Sequence, residues 1–143
     1  MRFWDASAIV PLLLRESHTG EAIRFHRTDP GIVVWWGTRV ECRSAIERRV
    51  REGSLALPQA TRARMRFVRL FEDVDEIAPS TVDRNDAERL LARYALRAAD
   101  ALQLAAAFAW AGNTPAGRQL VCFDARLRAA AHAEGFSLLP TGL

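Results

Sequence analysis

Apolar positions along the chain fall into two patterns that alternate: compact runs of four or five residues, and longer stretches with helical spacing. Met1 to Trp4 is a short apolar run that ends at Asp5, and A-I-V-P-L-L-L follows at 8 to 14. This predicts a buried strand and then a helix, with Ser7 as N-cap and Pro11 near the first turn, where a missing N–H costs least. A second helix is expected over Gly20 to His26, introduced by Thr19. After D-P-G at 29 to 31, I-V-V-W-W predicts a second buried strand, stopped by Gly37. T-R-V-E then reads as a capping box in which Thr38 caps a helix and Glu41 reaches back to its backbone. That helix runs to Gly53.

Pro58 opens a further helix, in which Met65, Val68 and Phe71 predict a core-facing stripe and the arginines a solvated face. D-V-D-E-I-A-P predicts a short strand, and Thr81 or Asp83 the cap of the helix after it. From Leu96 to Gly112 nearly every side chain is apolar, so this helix is expected to be buried on most sides. It carries one carboxylate, Asp100, in its first turn. Q-L-V-C-F predicts a third buried strand ending in Asp124, followed by a helix to Gly135 and a last strand in F-S-L-L-P. Strands alternating with helices imply one α/β domain with a parallel-rich sheet between helical layers.

Composition narrows the chemistry. All twenty basic residues are arginine. The absence of lysine excludes P-loops, Schiff-base chemistry and aspartate phosphotransfer sites that use a neighbouring lysine. Two cysteines, Cys42 and Cys122, make neither a disulfide framework nor a zinc site, and both are expected to be buried thiols. If a site forms between the strand ends, the two would lie near one another. His18, His26 and His132 lack metal-ligand spacing, and no Ser-His-Asp arrangement stands out. Trp35 and Trp36 read as core, with base stacking as the other use. The chain opens on M-R-F-W-D without a signal peptide's charged and apolar regions, which predicts cytoplasmic residence away from membranes.

Four carboxylates occupy corresponding places. Asp5 and Asp124 end apolar strands, and Glu41 and Asp100 lie in the first turns of helices. Each has a capping explanation alone; for Asp100 that is a favourable position at a helix N-terminus, beside Arg97. Together they fall at the edge where parallel α/β sheets bind ligands. Gathered carboxylates repel one another unless a cation neutralises them, and an oxygen-only set suits Mg²⁺ or Mn²⁺. With the four set aside, the remaining side chains carry about +7, the sign that phosphate contact requires. Arg97 and Arg126 flank the group as phosphate contacts or as its salt-bridge partners.

The motifs D-A-S-A-I-V at 5 to 10, W-W-G-T-R-V-E at 35 to 41, A-A-D-A-L-Q-L-A-A-A at 98 to 107 and F-D-A-R-L-R-A-A-A at 123 to 131 resemble those of PIN-domain nucleases. Within these the chain is most similar to the VapC ribonuclease toxins of toxin–antitoxin pairs, with motif order and spacing matching over nearly its whole length. The resemblance implies one PIN domain over 1–143, a three-layer α/β/α sandwich around a short, mainly parallel sheet. It assigns Asp5, Glu41, Asp100 and Asp124 to the catalytic, metal-binding quartet, and Ser7 to the hydroxyl position beside the first Asp. It further implies a Mg²⁺- or Mn²⁺-dependent endoribonuclease acting on RNA, structured RNA such as tRNA included. The implied assembly is a homodimer neutralised by a VapB-type antitoxin, which can carry the complex onto DNA. A PIN nuclease of RNA maturation, or a silent PIN-like module binding RNA or protein, remains open beside it. For 55–78 the resemblance is silent.

Overall fold

The compact apolar runs form strands because both of their faces are covered. A computed structural model describes all 143 residues. Its elements in order are β1 (Arg2–Trp4), α1 (Ala6–Leu13), α2 (Thr19–Thr28), β2 (Ile32–Trp35), α3 (Thr38–Arg51), α4 (Leu57–Glu72) and β3 (Asp75–Ile77). They continue with α5 (Thr81–Arg93), α6 (Ala98–Trp110), β4 (Gln119–Val121), α7 (Ala125–Ala133) and β5 (Ser137–Leu139). The five strands make one sheet in the order β3-β2-β1-β4-β5, and every neighbouring pair is parallel.

Strand alternation divides the core in two. Phe3, Val33 and Leu120 point to one face and pack against α5, α6 and α7. Trp4, Val34 and Val121 point to the other and pack against α1 to α4. Right-handed crossovers require the helices to change face where the strand order reverses, and they do so after β3. The result is the expected α/β/α sandwich. No helix is long and apolar enough to cross a membrane.

The reversal matters for function. Strand β1 is central, the chain leaves it toward β2 and β3, and then returns to place β4 on its other side. A crevice at the carboxyl ends of β1 and β4 follows from this order, and it is where open α/β sheets take ligands. Asp5 directly follows β1 there, and Asp124 lies three residues beyond the end of β4.

Helix starts differ from the sequence expectations in informative ways. Asp5, not Ser7, caps α1, accepting from the Ser7 N–H at 3.1 Å. Pro11 lies inside that helix rather than in its first turn. Thr19 is the first residue of α2 and donates its hydroxyl back to the Pro11 carbonyl. Ser80, rather than Thr81 or Asp83, caps α5. Helix α4 buries Ala60, Ala63, Phe67 and Phe71, leaving Met65 and Val68 exposed. Only Phe71 of the expected stripe is core, because the alanines let α4 close on its neighbours. Cys42 and Cys122 are buried free thiols that belong to the cores on opposite faces of the sheet, and both feel the Asp5 charge.

Gly37 holds the corner between β2 and α3. A Cβ built there would collide with the indole edge of Trp35. Gly37→Ala is therefore expected to cost about 1–3 kcal/mol through overpacking, read as a fall of several degrees in the thermal-unfolding midpoint. An unchanged midpoint would show that the indole moves aside freely.

Candidate active site

Asp5 is the most enclosed of the four carboxylates, with 4% of its surface exposed. Ser7 holds it twice, through its N–H to Oδ2 and through its hydroxyl to Oδ1 at 2.8 Å. The same hydroxyl accepts the Phe123 N–H at 2.8 Å. One side chain thus fastens the end of β1 to the segment carrying Asp124. Asp124 caps α7, its Oδ1 accepting from the Leu127 N–H at 2.9 Å.

Glu41 is not the capping residue its local sequence suggests. Gly37 occupies the N-cap of α3, with no side-chain cap, and Thr38 turns inward. Gln103 of α6, only 2% exposed, donates Nε2 to Glu41 Oε1 and to Thr38 Oγ1, both at 2.9 Å. Sequence reasoning missed both Gln103 and Thr38 as supports. The available signal was a lone amide in an apolar helix, one turn beyond Asp100 and so on its face. Asp100 does share in its helix cap, accepting the Arg97 N–H at 3.2 Å.

The carboxylates feel one another in a chain. Burial pushes the Asp5 carboxyl up to about 7, Ser7 works against that, and the Asp124 charge adds to it. Burial likewise raises Glu41, with Asp100 contributing after the opposing Gln103 bond. Asp100 is raised by burial first and by Asp124 as well. Arg97 and Arg126 lower Asp100 without cancelling the burial. Both arginines are exposed, and neither forms a salt bridge. The edge is therefore short of positive charge.

No three His, Cys, Asp or Glu side chains stand close enough together to hold a cation as they are. Each carboxylate is instead drawn toward its own local donor. The donor chemistry nonetheless fits a hard divalent ion: oxygen only, partly desolvated, and lacking counter-charge. Mg²⁺ in particular is commonly held by one or two carboxylates, with water and substrate phosphate filling the shell.

Beside this edge opens a cleft of about 1110 Å³. Ser7 and Glu41 line it directly, Ala99 and Phe123 bring it next to Asp100 and Asp124, and Trp36 and Arg48 extend it outward. Trp35 is core as expected, whereas Trp36 is 53% exposed.

The charge shortage has a measurable consequence for the metal-free protein. Between about pH 4 and 7 the folded chain holds a proton on Asp5 that the unfolded chain has released, so stability falls as pH rises through that window. The thermal midpoint is expected to be several degrees higher at pH 5.5 than at pH 8, and Mn²⁺ to recover the difference at pH 8. A midpoint that rises with pH over this range would contradict the geometry of Asp5.

No family model and no curated protein matches the sequence. Among solved structures the fold is similar to VapC20 of Mycobacterium tuberculosis, described as a sarcin–ricin loop cleaving toxin. The TM-score is 0.66 at 19% identity, over 91% of this chain and 95% of that one. The architecture is a PIN-like three-layer α/β/α sandwich.

Proposed function

We propose that this chain is a divalent-metal-dependent endoribonuclease toxin of the VapC type, hydrolysing phosphodiester bonds in RNA. The observation that carries the reading is the chain of like charge from Asp5 through Asp124 and Asp100 to Glu41, at the crevice where the strand order reverses. Asp5, Glu41, Asp100 and Asp124 would hold Mg²⁺ or Mn²⁺. When bound, such an ion supplies positive charge to the scissile phosphate and lowers the pKa of an attacking water. Ser7 keeps the Asp5 oxygens fixed, and Gln103 does the same for Glu41. Arg97 and Arg126, free of ion pairs beside Asp100, attract the RNA backbone to an edge that would otherwise repel it. Support for the toxin reading comes from the motif resemblance and from the fold shared with a toxin. The proposal itself extends to a cytoplasmic homodimer neutralised by a VapB-type antitoxin, with the antitoxin joining the complex to DNA, and to structured RNA such as tRNA as substrate.

The test is expression of this chain by itself, together with cleavage of total RNA by the purified chain. Growth arrest relieved by Asp100→Asn, and cleavage that needs Mg²⁺ or Mn²⁺ and stops with EDTA, are expected. RNA binding that survives with no cleavage in either metal would leave a binding module instead.

A further inference from the structure

The cleft beside the carboxylates carries aromatic surface that the hydrolytic reading does not use. Trp36 sits at the carboxyl end of β2, half exposed, while its neighbour Trp35 is buried. Across β1, Phe123 follows β4 and has the His18 ring stacked on it, centroids 4.2 Å apart and 11° from parallel. All three side chains line the same cleft as Ser7 and Glu41. Strands β2 and β4 are two strand spacings apart, about 10 Å between axes. Trp36 and Phe123 lie just beyond the ends of those two strands and line one cleft of about 1110 Å³. Farther along the cleft, Arg48 lies seven residues after Glu41 and so on the same face of α3, exposed and without a salt bridge. Its neighbour Arg49 is held by Glu16 at 3.1 Å.

We propose that this cleft takes one unpaired nucleobase against Trp36, with Arg48 on the adjoining phosphate, so that these two residues position the strand beside the carboxylates. The inference rests on the nuclease reading for the identity of the polymer. A base inside a duplex has both faces covered and cannot reach the indole, whereas one in a loop or bulge can. Stacking on an aromatic face tolerates any base, so Trp36 selects unpaired structure and not sequence.

The test measures binding separately from cleavage. Fluorescein-labelled eight-residue oligoribonucleotides, single-stranded or fully paired, are titrated by anisotropy in Mg²⁺ into full-length Asp5→Asn protein, with and without changes at Trp36. Trp36→Ala is expected to weaken single-strand binding about tenfold or more, within the range that base–aromatic stacking supplies. Trp36→Phe should stay within about threefold of the parent, and Trp36→Leu should behave as Trp36→Ala, since it keeps bulk but cannot stack. Duplex is expected to bind at least about tenfold more weakly than single strand. Arg48→Ala should flatten the salt dependence. In the cleaving protein, Trp36→Ala should raise KM far more than it lowers kcat. Equal affinity for duplex and single strand, or a Trp36→Leu protein that binds like the parent, overturns the proposal. So does a Trp36→Leu protein whose only change is a smaller oligomer in sedimentation, which would assign the indole to a second copy. Binding as described with no cleavage in any metal defeats the nuclease reading and leaves this one standing; cleavage indifferent to Trp36 does the reverse.

Discussion

Asp5→Asn is expected to remove RNA cleavage by on the order of a thousandfold or more while leaving the metal-free protein at least as stable as its parent at pH 8. The two effects have one origin. Asp5 is buried with a charge that Ser7 and the Cys122 thiol support less than burial opposes it, which is why its carboxyl is pushed up to about 7. An amide in its place still accepts the Ser7 N–H through its one oxygen and turns its NH2 toward the Ser7 hydroxyl as donor, and Asn caps helices as well as Asp does, so α1 keeps its start. What disappears is the cost of ionising a buried carboxyl, up to a few kcal/mol above neutral pH. The negative charge that a cation needs disappears with it. Cleavage rate and thermal midpoint measured side by side decide the matter. A variant that cuts at close to the parental rate would remove Asp5 from the chemistry. A midpoint lowered by many degrees would make it a structural cap.

Gln103→Leu is the second large expectation, and its effects can be separated by a compensating change. The amide fixes Glu41 and Thr38 together from inside the core. Its loss should lower activity about 10–100-fold, the usual consequence of releasing a ligand's support. It should also cost about 1–3 kcal/mol, because the Thr38 hydroxyl is left buried without a partner. Adding Thr38→Val removes that stranded hydroxyl, and replacing both partners by apolar groups restores most of the stability. Activity should not return, since Glu41 still lacks its donor. A double variant that regains both would reduce Gln103 to packing.

The strands were legible because a parallel sheet covered on both faces leaves a continuous apolar run, and I-V-V-W and Q-L-V are such runs. The places of Asp5 and Asp124 were legible for the same reason, each standing where a run stops and a helix begins. The surroundings of Glu41 were not. T-R-V-E has the letters of a capping box, and what withdraws Thr38 from that role is an amide sixty-five residues away. A local pattern cannot register a competitor brought in by tertiary packing. Helix α4 misled in another way: its spacing allowed more than one core face, and the face with alanines packs more closely than the one with Met65 and Val68. The two tryptophans differ because β2 ends at Trp35, so burial by the sheet stops one residue before Trp36.

The hydroxyl of Ser7 and the backbone of Phe123 are 116 positions apart, and the junction they form joins the first strand to the fourth. During synthesis this places the two halves of the carboxylate edge at opposite ends of translation. A nascent chain that has emerged only as far as α6 has Asp5, Glu41 and Asp100 but neither β4 nor Asp124. The carboxylate edge is therefore complete only once about the last sixth of the polypeptide, which brings β4 and Asp124, has been made.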